Sequence, residues 1–255
     1  MKKKLIELTI KKPNNLSYIN LDENNNYKGW VADFGLVEKA TNKAIGLDLK
    51  NENDLFLLFV LASAWSKTGP WENAVFFTTY LKFKNYKITD WLNKNIVQNE
   101  IHSRENNAKS IIDATAGIKS RSKVAFRKDF YSSVAILAEN WEEIKAKMNE
   151  SAQKSDWLIF IDHLRSLKGL GEGTNKMKIK IPLILRELRC QNIYPNIDGK
   201  YCCVPDERVK EAYKSIGEKM PHNYLKASEY IYKDFKDLYD IPLFAYKDFK
   251  EAGLL

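Results

Sequence analysis

From Asn51 to the C-terminus the apolar residues recur at helical spacing with few interruptions, and that periodicity restricts the chain to a body of packed helices. The segment Asn51–Trp65 is apolar nearly all round, which marks a buried helix. Lys67–Pro70 stops it, and Pro70 suits the first turn of the next helix, WENAVFFTTYLKF. Further helices are expected at Ile88–Asn95, Arg104–Lys119 and Phe130–Met148. Asp156 is placed to cap WLIFIDHLRSL, and Pro182, Pro205, Asn223 and Pro242 each stand at the head of another helical segment. About ten helices result by pattern counting.

The first fifty residues read differently. KLIELTI alternates apolar and polar side chains as a short strand does, and Asn14–Lys28 has the composition of turns. From Trp30 to Leu49, brief apolar pieces are broken by Gly35 and Gly46. The expected fold class is therefore mostly α, with a small N-terminal extension of short strands and loops over residues 1–50.

Several functional classes drop out on composition. Aromatic residues make up 12% of the chain, too many for global disorder. The longest apolar run, Leu55–Trp65, is too short to span a membrane, and no secretory signal is read at the N-terminus. A cytoplasmic protein, nucleoid-associated in a bacterium or archaeon, is expected. Three cysteines, Cys190, Cys202 and Cys203, fit a reducing compartment and are too few for an all-cysteine iron–sulfur cluster. Three histidines without an i,i+4 pair argue against a zinc site, so no metal and no cofactor are expected. The net charge of +8 suits a partner rich in phosphate, although solubilising surface charge accounts for it equally well.

Residues Leu164–Val209 are the most informative stretch. An amphipathic helix runs into Leu167-Lys168-Gly169-Leu170-Gly171, then a basic segment, then another apolar helix. Glycines there allow a sharp turn and close backbone approach, and Lys168, Lys176, Lys178 and Lys180 would surround such a phosphate seat with positive charge. A glycine after a helix is also the commonest helix C-cap, so the tripeptide alone decides nothing. Downstream, Val204-Pro205-Asp206-Glu207-Arg208-Val209 places an acid in what reads as the first turn of a new helix. In isolation that acid reads first as a good partner for the helix dipole.

Taken in order, these pieces resemble the helix-hairpin-helix (HhH-GPD) base-excision DNA glycosylases, the superfamily of endonuclease III and the 8-oxoguanine glycosylases. LKGLG at Leu167–Gly171 is similar to the family's L-x-G-x-G hairpin, and VPDERV at Val204–Val209 to the V-P-x-D-x-x-V segment with the essential aspartate. LFVLASAWSKTGPWENAVFFTTYL resembles the opening helix pair, and RENNAKSIIDATAGI the R-x-x-K-A-x-x-I helix. YKDFKDLYDIPLFAYKDF resembles the closing L-D-x-x-L-W segment, with Phe244 at the Trp position. The resemblance covers about residues 51–255.

It also departs from the family pattern. Asp206 follows Pro205 directly, one residue earlier than usual, and Gly173 stands where bifunctional members carry the catalytic lysine. Glu172–Lys180 is similar to the longer hairpin of archaeal 8-oxoguanine glycosylases, closest among the subfamilies. The resemblance implies a glycosylase that excises a damaged base, 8-oxoguanine foremost, with associated lyase activity, acting on double-stranded DNA as a monomer. Asp206 would be the catalytic acid and Lys180 or Lys178 the nucleophile, with Lys176 also open. Lys168, Gly169, Gly171, Gly173 and Lys176 would contact DNA. A helix-hairpin-helix motif at about 156–190 would face a cleft between a lobe of residues 51–69 plus 205–255 and a central lobe of 70–204. Two alternatives stay open: a monofunctional glycosylase for alkylated or mismatched bases, and a non-catalytic helix-hairpin-helix DNA-binding protein. A basic helical protein-interaction domain is the third.

Overall fold

The computed structural model describes residues 1–11, 16, 18–65, 71–118, 124–167 and 177–255, the side chains of 177 and 178 excepted. The helices are Lys2–Lys11 (α1), Glu52–Trp65 (α2), Trp71–Lys84 (α3), Lys94–His102 (α4), Arg104–Ala114 (α5), Lys128–Glu139 (α6) and Trp141–Lys154 (α7). They continue with Trp157–Ser166 (α8), Met177–Cys190 (α9), Glu207–Ser215 (α10), Tyr224–Phe235 (α11), Ile241–Phe244 (α12) and Tyr246–Glu251 (α13). Leu36–Glu38 (β1), Lys43–Ile45 (β2) and Thr115–Ala116 (β3) form one antiparallel sheet in the order β2-β1-β3. The protein is thus mostly helical, with its few strands short.

The chain divides into two compact units, Met1–Trp30 with Met177–Leu255, and Val31–Lys176. These boundaries differ from the expected lobes. Glu52–Trp65 belongs with the central helices because its apolar surface packs on α3 and α6. Residues 177–204 join the C-terminal helices instead of the central ones.

In the unit Val31–Lys176, α2 is buried from Phe56 to Ala64, as its all-round apolar sequence requires. Phe59 meets Trp141 edge-on at 5.4 Å, and Phe77 sits among Phe126, Phe130 and Tyr131 at 5.0–5.3 Å. A buried carboxylate, Glu100, accepts hydrogen bonds from Tyr80 Oη at 2.6 Å, Tyr86 Oη at 3.1 Å and Asn107 Nδ2 at 2.9 Å. Three donors satisfy a charge that would otherwise be costly to bury. Asp156 caps α8 through Leu158 N, as its sequence position indicates.

Four local expectations are corrected. KLIELTI is part of helix α1: Leu5 and Thr9, four residues apart, are fully buried, and α1 packs on α12 and α11. Lys2 bridges Glu218 at 2.7 Å and Asp234 at 2.8 Å, so tertiary contacts override a weak strand pattern. The expected helix Phe130–Met148 is two helices, because Asn140 leaves helical geometry and its side chain donates to Ile136 O at 2.7 Å. Beyond a 3-10 turn at Ile88–Leu92, α4 is an additional helix capped by Asn93. Pro182 lies inside α9, as its sixth residue, instead of opening it; without an N–H it denies the Lys178 carbonyl its i+4 bond.

In the other unit, α9 is the buried axis. Ile181, Leu183, Ile184, Leu185 and Leu188 are each at most 2% exposed. Residues 18–30 close against it: Trp30 N donates to Glu187 Oε2 at 3.0 Å. Gly29 makes that approach possible, with φ +79° and a hypothetical Cβ only 2.4 Å from Glu187 Oε2. Gly29→Ala should therefore destabilise the protein by about 2–4 kcal/mol. Urea melts would register this as a lower midpoint at unchanged slope.

Candidate active site

The fourth residue of α9 is Lys180, and its side chain is almost wholly enclosed, at 1% exposure. Lysine is among the residues least often buried this far. Six residues on, Arg186 is also buried, and its Nη1 donates to Asp240 Oδ1 at 3.0 Å and Oδ2 at 3.2 Å. Glu187 Oε1 lies 3.5 Å from Arg186 Nε, and the Tyr27 ring stands 5.3 Å from the guanidinium carbon. Burial opposes the charge on Arg186, but Asp240, with Tyr27 and Glu187, more than compensates and holds it protonated well above the ordinary range. Burial likewise raises the Tyr27 hydroxyl far above its usual value.

Asp240 does more than balance Arg186. Its Oδ1 also accepts from Val204 N at 2.8 Å, across 36 residues of sequence. Val204 leads through Pro205 to Asp206, which is the N-cap of α10 and not a residue of its first turn. The Asp206 carboxylate accepts from Val209 N at 2.8 Å. Burial is the main reason its carboxyl is raised to about 6; the charges of Asp240 and Glu207 add to this, and the Val209 N–H and Arg208 oppose it. A half-buried carboxyl that titrates near neutrality suits stabilisation of nearby positive charge, or proton transfer.

Beside Asp206, the Arg208 guanidinium lies 4.1 Å from the Phe244 ring centre and pairs with Asp248, which also accepts from Tyr18 Oη. Tyr18 meets Phe244 edge-on at 5.2 Å. Lys180, Asp206 and Phe244 all belong to the unit of residues 1–30 and 177–255. Lys168, Gly169, Gly171, Gly173 and Lys176, and the side chain of Lys178, lie outside the described residues.

Arg186, Glu187 and Tyr18 were missed by sequence reasoning, and Arg208 and Asp240, inside the segments VPDERV and LYDIPLF, were given no role there. Charged residues inside the apolar runs LILRELRC and LYDIPLF were the available signal, since a charge on a buried face needs a partner. The pair Asp162-His163, conspicuous in sequence, separates: Asp162 is exposed and bonded to Arg165, whereas His163 is turned inward, where burial lowers its pKa. Cys190, Cys202 and Cys203 are free thiols; burial pushes Cys190 up to about 12 and the other two well above the ordinary range. Such thiols are poor nucleophiles.

A cavity of about 340 Å³ in the unit Val31–Lys176 is lined by residues including Asp48, Asp54, Lys82, Tyr86 and Trp91. None of the residues around Asp206 contributes to it. Among the described residues no group of three or more His, Cys, Asp or Glu is placed to hold a metal ion, and no helix is long and apolar enough to cross a membrane. Comparison with protein-family models, with curated proteins and with solved structures finds no match to this chain.

Proposed function

We propose that the protein is a DNA repair glycosylase that excises a damaged base, 8-oxoguanine foremost, from double-stranded DNA, acting as a monomer in the cytoplasm or on the nucleoid. The target nucleotide would leave the stack, because its C1′ is unreachable inside a duplex. As the base departs, positive charge grows on the sugar, and the ionised Asp206 carboxylate would stabilise it. An amine from the segment after the hairpin, Lys180 or Lys178, would attack C1′, form a Schiff base and permit strand cleavage by β-elimination. Asp206 carries the proposal. Its carboxyl is fixed as the cap of α10, raised to about 6, and shares a compact unit with the buried Lys180.

The enclosure of Lys180 favours a second mechanism on the same DNA. A nucleophile has to touch C1′, so an enzyme whose lysine stays enclosed would use Asp206 and water alone, as a monofunctional glycosylase. Borohydride trapping on an 8-oxoguanine duplex separates the two. The lyase yields a covalent adduct that is lost in Lys180→Gln or in Lys178→Gln. The monofunctional enzyme yields released base, no adduct, and strand breaks only after alkali.

A further inference from the structure

We propose that Asp240 is a positioning residue for Asp206: clamped by Arg186 of α9, it holds the Val204 amide and so fixes the segment that delivers Asp206 against the helix that carries Lys180. The proposal rests on the glycosylase reading for its catalytic consequence, but not for its structural one.

Three features support it. Asp240 is buried at 3% exposure, and its Oδ1 serves two partners at once, Val204 N at 2.8 Å and Arg186 Nη1 at 3.0 Å. Those partners lie on separate pieces of chain, 36 and 54 residues away. Cys203 N, one residue before Val204, is bonded in turn to Ser228 Oγ at 3.0 Å, so two consecutive amides leading to Asp206 are both tied to buried side chains. Pro205 then restricts the backbone between Val204 and Asp206. A buried ion pair is weak support for stability, because apolar residues of similar volume often do as well. Orientation is what an apolar pair cannot supply, since it has no acceptor for the Val204 N–H.

Asp240 also acts on Asp206 through charge. The charged groups that bear on Asp206 are Asp240, Arg208 and Glu207. Asp240 itself faces Arg186, with the Tyr27 hydroxyl and the Cys203 thiol nearby. Removing the Asp240 charge takes away a neighbour that disfavours the Asp206 carboxylate, so Asp206 should titrate lower.

The test uses the full chain with Asp240→Asn and the double variant Arg186→Met/Asp240→Leu. Carbon-detected NMR of the Asp206 carboxyl reports its titration, and single-turnover base release reports catalysis. Asp240→Asn should lower the Asp206 midpoint by roughly half a unit or more and reduce kcat roughly ten- to a hundredfold, with KM nearly unchanged. The double variant should melt above Arg186→Ala, although it still deprives Glu187 and the Val204 N–H of their partners, and should keep the kcat loss. Recovery of kcat together with Tm in the double variant would reduce Asp240 to a packing role and overturn the proposal, as would an Asp206 midpoint unmoved by Asp240→Asn. Should wild type release no base from any lesion, the glycosylase reading falls, and the Asp206 titration alone decides the positioning claim.

Discussion

Asp206→Asn is expected to reduce single-turnover base release by about 10³-fold while leaving the protein folded and able to bind DNA. Asparagine caps a helix about as well as aspartate, so the bond from Val209 N at 2.8 Å can be kept while the charge goes. The variant should also melt differently from wild type as pH changes. Asp206 titrates near 6 in the fold against an ordinary 3.8, so the folded protein holds this proton more tightly than the unfolded chain does. The neutral acid therefore contributes stability that is fully present below about pH 4 and lost as pH rises through about 6. The asparagine amide copies that neutral acid at every pH. Wild type and variant should have equal stability near pH 4, and above pH 7 the variant should be ahead by about 1–2 kcal/mol, a figure reduced for the partial exposure of Asp206. Urea titrations at the two pH values check this. Because the ionised form is the one that stabilises the sugar cation, wild-type base release should fall on the acid side with an apparent pKa near 6, the value the carboxyl takes in the fold.

Arg186→Ala is expected to cost about 3–5 kcal/mol, enough to lower Tm by roughly 6–10 °C. Arg186 is buried between Asp240 and Glu187, the latter with no exposed surface, and its removal strands two carboxylates in the interior around α9. The cation–π contact with Tyr27 goes as well. Lysine at this position should recover only part of the loss, because a single ammonium can meet Asp240 but cannot also present a second nitrogen to Glu187 and a planar face to Tyr27. Thermal melts of Arg186→Ala, Arg186→Lys and the apolar Arg186→Met/Asp240→Leu pair should rank with the alanine lowest and the apolar pair highest. An alanine variant as stable as wild type would show that the two carboxylates do not depend on the guanidinium.

Much of the helical layout could be read from the chain because it rests on short-range chemistry. Asp156 and Asn223 cap the helices that follow them, each accepting from a backbone N–H two or three residues on. The continuous apolar run of α2 is buried because no face of it is polar. Failures arose where distant contacts decide. KLIELTI has a strand-like alternation, yet Leu5 and Thr9 are buried in a helix that packs on α12 and α11, which no local pattern reveals. Pro182 marks the start of a helix by rule, but the preceding turn is helical too. In the candidate site, Asp206 stood out through its Pro-Asp setting at a helix start, a local signal. Asp240 and Arg186 did not, since their bond spans 54 residues, and Trp30 reaches Glu187 across 157. Which buried charges meet is a property of the fold, and only the presence of a charge inside an apolar run hints at it.

The most direct measurement is base release by excess wild-type protein from a panel of duplexes, each with one lesion opposite each normal base, read after alkali to reveal every abasic site. Release is expected from at least one lesion, fastest from 8-oxoguanine, and about 10³-fold slower with Asp206→Asn. Salt-dependent binding to the duplexes with every base left attached would contradict this, and would describe a protein that holds DNA without acting on it.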